Sequence, residues 1–165
     1  MTIPFTVWGL LTLSMATGLV AGVFLTFSDF VMKSLRATEP AGGTEAMQII
    51  NREVYRSIFM VLLIGMIPVS GAVAGFAIVF VNGPVATWLT AAGALYIIGV
   101  FVVSAGGNIP MNKRLEAMPQ AGAAAQAYWP DYVRGWVRWN HVRWVTALGA
   151  SICYAVSAVL IAGGA

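Results

Sequence analysis

The sequence predicts an all-α fold: a four-helix transmembrane bundle with a short amphipathic interfacial helix between helices 1 and 2. Three observations predict it. Hydrophobic residues fill 59% of the 165 positions and charged residues only 9%, whereas a water-soluble domain carries about a quarter charged residues. Four apolar stretches are each long enough to cross a hydrocarbon core, which takes roughly 20 residues because every backbone N–H and C=O must be satisfied within the segment. Every acidic or basic side chain falls between Asp29 and Arg56 or between Lys113 and Arg143, in the first and third connections.

Helix 1 covers about 6–30, where Ser14, Gly18 and Gly22 recur every four residues. Small residues at that spacing let helix backbones approach, within one bundle or between two copies. The first connection breaks at Glu39-Pro40-Ala41-Gly42-Gly43. Thr44 then caps the interfacial helix, about 44–57, whose Met47, Ile50 and Val54 recur at helical spacing opposite Glu45, Arg52 and Arg56. Helix 2 covers about 58–81, with Gly71 and Gly75 repeating the small-residue spacing and Pro68 as a kink. Asn82-Gly83-Pro84 is a tight polar turn, so helix 3, about 85–107, runs antiparallel beside helix 2. Pro110 breaks its inner end and flanking Asn108 and Asn112 cap it. The third connection passes Pro119 and Pro130, becomes helical from Asp131, and runs into helix 4 at about 144–161. The whole chain, 1–165, reads as one integral membrane domain.

Lysine and arginine are retained on the cytoplasmic side during insertion. The charged connections are therefore expected inside and both termini outside. Trp8 and Trp88 lie near the outer helix ends, and Trp129, Trp136, Trp139 and Trp144 crowd the inner border, where indoles settle at headgroup depth. The net charge of +3 is explained by these topology signals, and no nucleic-acid partner is expected. Cys153 is the one cysteine, which leaves no disulfide within the chain and no cysteine-based metal site. The sequence carries no phosphate-binding glycine loop and no nucleophile elbow.

Two polar motifs stand out, Asn108-Ile109-Pro110-Met111-Asn112 and Trp136-Val137-Arg138-Trp139-Asn140-His141-Val142-Arg143. Asp29 and Asn51 reach the same membrane face from helix 1 and the interfacial helix. At about 100° per residue, Trp136, Asn140, Arg143 and Ala147 share one stripe, while His141 points toward the flank of Val137 and Trp144. His141 is the one side chain of a type that exchanges protons near neutral pH, which makes it the natural base. Arg143 enters an apolar span, where a charge needs a partner, and Asp29 is the expected one. One histidine, one aspartate and scattered amides do not make a metal site, and no metal is expected.

At these residues the chain resembles the anthrone-oxygenase-like family of small four-helix membrane proteins. The resemblance is carried by Ala21-Gly22-Val23-Phe24 through Phe27-Ser28, Met47 with Ile50-Asn51, Asn108-x-Pro110-x-Asn112 with Leu115, and Trp136-x-x-Trp139-Asn140-His141-x-Arg143. Lys33 departs from it, standing where many members have proline after the Val-Met pair. Fungal members are similar to cofactor-free oxygenases that convert an anthrone to an anthraquinone. The resemblance thus implies no cofactor, a bacterial inner-membrane location, and a flat aromatic small molecule as substrate. His141 would be the base. Asn140, Asn108 and Asn112 would donate to the enolate oxygen, Trp136 and Trp139 would form walls, and Asn51, Arg143 and Asp29 would complete the binding site. Two other classes stay open: a non-enzymatic subunit packing against a larger membrane complex through its glycine-rich helices, and a small transporter; an enzyme is expected alone or as a homo-oligomer. The transporter reading lacks polar groups near the bilayer midplane.

Overall fold

The computed structural model describes residues 5–119 and 122–164, and among these it contains helices and no strands. Four helices are long and apolar enough to cross a membrane: α1 (Phe5–Ala37), α3 (Ile58–Phe80), α4 (Gly83–Glu116) and α5 (Ala123–Ala162). Between the first two lies the shorter α2 (Pro40–Glu53). The chain is a helical membrane protein.

Each spanning helix but α3 extends well past the apolar run that marks it, on the charged side. Charged residues do not end a helix; they end only its apolar stretch. Pro110 does not break α4, contrary to expectation, because a wide π turn over Ser104–Asn108 precedes it and the next α-helical segment takes the proline in its first turn. Pro130 is likewise inside α5. The interfacial helix begins at Pro40 rather than Thr44. Proline is pre-organised for a first turn, and Thr44 lies buried inside the helix with its hydroxyl donating to the Pro40 carbonyl at 2.7 Å. Ser57 caps α3, accepting from the Met60 amide at 3.2 Å. At the other end of the hairpin, Gly83 has φ 73°, the left-handed region that only glycine enters freely, and Pro84 follows in the first turn of α4.

Around the bundle the order is α1, α5, α4, α3. The tightest seam joins α1 to α5, where Ser14 and Ser151 exchange hydroxyl-to-carbonyl hydrogen bonds of 2.9 and 2.8 Å. Gly18 faces Ser151 in the same seam and Gly71 meets Ile97, so Ser14, Gly18 and Gly71 pack within the molecule; Gly22 and Gly75 have open space where a side chain would go. Closer approaches occur at glycines outside the stripe. A Cβ on Gly93 would lie 2.5 Å from Ala74, one on Gly99 2.3 Å from Thr146, and one on Gly107 2.6 Å from the Trp139 ring. These clamp α4 against α3 and α5.

The seam between α1 and α3 is the least filled. Two clefts lie along it, one at the charged end and one of about 580 Å³ at the opposite end between Leu10, Val73, Phe76 and Leu89. Phe24 of α1 and Phe59 of α3 meet edge to face beside the first cleft, with centroids 5.6 Å apart.

Candidate functional site

The charged-end cleft encloses about 180 Å³, far more than the roughly 15 Å³ that one water needs. All four spanning helices and α2 contribute to it. Phe24 and Phe27 come from α1, Met47 and Asn51 from α2, Phe59 and Leu63 from α3, Ser104, Asn108 and Asn112 from α4, and Trp136 and Arg143 from α5. Phe27 leans on Trp136 with centroids 5.7 Å apart, so aromatic rings form much of the wall. Tyr55, Ile64 and Phe101 also line the cavity and are exposed on the outside of the bundle. The cavity therefore opens sideways.

Three π segments frame it, one over Phe27–Val31 in α1 and two in α4, over Leu95–Val102 and Ser104–Asn108. A π turn holds an extra residue and rotates the side chains beyond it. This brings Phe27, Val100, Phe101, Ser104 and Asn108 to the cavity from π-helical segments of α1 and α4.

Among the described residues the one charged side chain lining the cavity is Arg143, only 6% exposed. Its guanidinium donates to Asn140 Oδ1 at 2.6 Å and more weakly to Ser104 Oγ at 3.4 Å. The charge lies 4.2 Å from the Phe24 ring centroid and 5.1 Å from that of Trp136, distances at which ring faces attract a cation. Asn140 in turn spends its Nδ2 on the Phe24 carbonyl and on Ser28 Oγ, both at 2.6 Å, tying α5 to α1. Asn112 Oδ1 accepts from Tyr132 Oη and from Trp136 Nε1, both at 2.8 Å, which fixes the tilt of the Trp136 ring. Asn108 donates across to the Trp136 carbonyl at 3.1 Å.

The family model for anthrone oxygenase matches residues 52–153, more than half of the chain. The chain belongs to the anthrone oxygenase family. Comparison with curated proteins and with solved structures found no match. The matched stretch takes in α3, α4 and most of α5, including the two polar motifs. In this anthrone oxygenase family member α1 and all but the last two residues of α2 precede the match, and they close the cavity with Phe24, Phe27, Met47 and Asn51.

Of the residues singled out from sequence, the structure brings Asn51, Asn108, Asn112, Trp136 and Arg143 to the cavity. Asn140 is fully buried behind it, with its amide committed to protein partners. Three others stand apart. His141 is exposed on the flank of α5 and accepts a 2.9 Å hydrogen bond from Trp144 Nε1 at its Nδ1, because one step along the helix turns it about 100° from Asn140. Trp139 is half-exposed and packs on Gly107. Asp29 is not the partner of Arg143; it is exposed and lies 3.9 Å from Lys33 one turn along the same helix. Phe24 and Phe27 belong to the stretch that carries the family resemblance, which implies no site role for them, and the wall residues Phe59 and Ser104 carry no sequence signal of one, since apolar or small residues in an apolar helix look alike whichever way they face. Among the described residues no three His, Cys, Asp or Glu side chains gather into a ligand cluster. A ligand in the cavity meets aromatic rings, amides and one guanidinium.

Proposed function

We propose that the cavity binds a flat, lipid-soluble phenolic substrate of anthrone type and that the protein oxygenates it with dioxygen, using no metal or cofactor. The observation that carries this reading is an aromatic-walled cavity, open toward lipid, into which amides project in a chain of the anthrone oxygenase family. Apolar walls with a few placed polar groups suit such a ligand.

In the reaction the substrate's methylene C–H proton leaves and its electron pair spreads onto the ring oxygen as an enolate. One electron passes to dioxygen, and the carbon radical and superoxide combine into a C–O bond. After protonation, the hydroperoxide loses water, with the remaining C–H proton and the distal oxygen departing together. One dioxygen is consumed per quinone and one water released. Asn108 and Asn112 contact the ligand, Trp136 forms a wall, and Asn140 positions Arg143. No histidine or carboxylate lines the cavity, so the first proton goes to water admitted from the charged end of the bundle, and His141 is not required as base.

The test is oxygen uptake and quinone absorbance by purified protein in nanodiscs supplied with emodin anthrone, measured against empty nanodiscs because anthrones oxidise slowly in air. Wild-type protein should exceed that background with one oxygen per quinone, and Leu63→Trp, which fills the cavity from α3, should return to it. Wild-type rates equal to background would refute the proposal.

A further inference from the structure

Arg143 presents a problem that the protein alone leaves unsolved. A guanidinium has five N–H donors and is charged at any ordinary pH, and a charge inside a membrane bundle is expensive unless it is paired. The ion pairs among the described residues are Lys33–Asp29, Arg52–Glu116 and Arg134–Asp131, all on exposed side chains. Arg143 is in none of them. Its acceptors are neutral oxygens of Asn140 and Ser104, and its Nε–H has no partner.

The unmet groups are not scattered. Among the described residues five buried side-chain polar atoms lack a hydrogen-bond partner, and three of them belong to residues lining this one cavity: Arg143 Nε, Asn51 Nδ2 and Asn108 Oδ1. Buried polar groups are normally satisfied, and each exception calls for a cause. The orientation of the Asn108 amide is fixed by its Nδ2 bond to the Trp136 carbonyl, which leaves Oδ1 as a free acceptor. The lining residues Arg143, Asn51 and Asn108 thus carry two unmet donors, one of them on a cation, and one unmet acceptor beside an aromatic-walled space.

We infer that Arg143, Asn51 and Asn108 form a recognition set for an aromatic oxyanion, so that the cavity takes its ligand in the ionised form. The oxyanion is held by the guanidinium and the Asn51 amide, a hydroxyl of the same ligand donates to Asn108 Oδ1, and the ring system lies against Phe24 and Trp136. A cation flanked by two aromatic faces and lacking an acid of its own favours a flat anion over a neutral molecule. This inference rests on the reading of the cavity as a substrate site and adds the charge state that the site selects.

The experiment needs no turnover. The full chain in nanodiscs is titrated with 1,8-dihydroxyanthraquinone, whose visible absorption shifts on ionisation, and with its dimethyl ether, which cannot ionise. With wild-type protein the ratio of ionised to neutral bound dye at fixed pH should rise roughly 10- to 1,000-fold over empty nanodiscs, the effect of one opposite charge in contact. Arg143→Gln should abolish the rise and Arg143→Lys should keep part of it. Should the glutamine variant fail to fold, the wild-type ratio decides alone. An unchanged ratio with both dyes bound equally overturns the inference and leaves the substrate-site reading intact. The same ratio in Arg143→Gln as in wild type also overturns it. If neither dye binds, both readings fall; if the ionised dye is favoured but emodin anthrone is never oxidised, the recognition set stands and the oxygenase chemistry does not.

Discussion

Asn140 occupies the centre of the polar network. Its amide is bonded on both sides, to α1 through Phe24 and Ser28 and to Arg143 through Oδ1. Asn140→Leu is near in volume but strands those groups, each costing about 1–3 kcal/mol when buried without a partner. The variant should lose thermal stability in detergent as well as activity; unchanged stability would show that the network is not what holds α5 to α1. His141 contrasts with it. Because its side chain is outside the cavity, His141→Gln should keep the fold and oxidise emodin anthrone within about threefold of wild type, whereas loss of a general base costs roughly 10²–10⁴-fold. A loss in that larger range would return the base role to the histidine. The helical stripe Trp136, Asn140, Arg143 and Ala147 was legible from spacing alone, and all four residues are buried. What spacing could not say is which neighbour the stripe faces. Charge and depth pair Asp29 with Arg143, yet Asp29 lies on the exposed side of α1.

The spans themselves were legible because hydropathy measures what a membrane requires. Their ends were not, since Pro40, Pro110 and Pro130 are accommodated in first turns, beside π turns or inside a long helix. The π segments over Phe27–Val31, Leu95–Val102 and Ser104–Asn108 leave no pattern in a sequence that is apolar all round. Glycine spacing was a partial guide: Gly18 contacts α5, but closer helix approaches are at Gly43, Gly93, Gly99 and Gly107, which follow no four-residue stripe. Gly107→Leu must displace the Trp139 ring, and overpacking of this kind costs about 1–3 kcal/mol. It should lower the melting temperature in detergent. Gly22→Leu, which meets open space, should not. Equal losses in both variants would contradict the packing described for α4 and α5.

Taken whole, the molecule is a bundle tightly joined along three seams and loosely along the fourth, and its polar cavity lies at the loose seam on the charged end. The charged connections should be cytoplasmic, so reporters inserted beside Glu39 or Ala123 should read inside and one in the Asn82 turn outside. The reverse pattern would move the cavity to the outer leaflet. Family membership and fold follow from the matched span and the four long helices, while the chemistry depends on what enters the cavity. The most direct measurement is an experimental structure of the full chain in lipid with bound 1,8-dihydroxyanthraquinone. The account predicts density for the ring system between Phe24 and Trp136, with an oxygen on the Arg143 guanidinium. A ring system bound elsewhere, with the cavity filled by side chains, would contradict it.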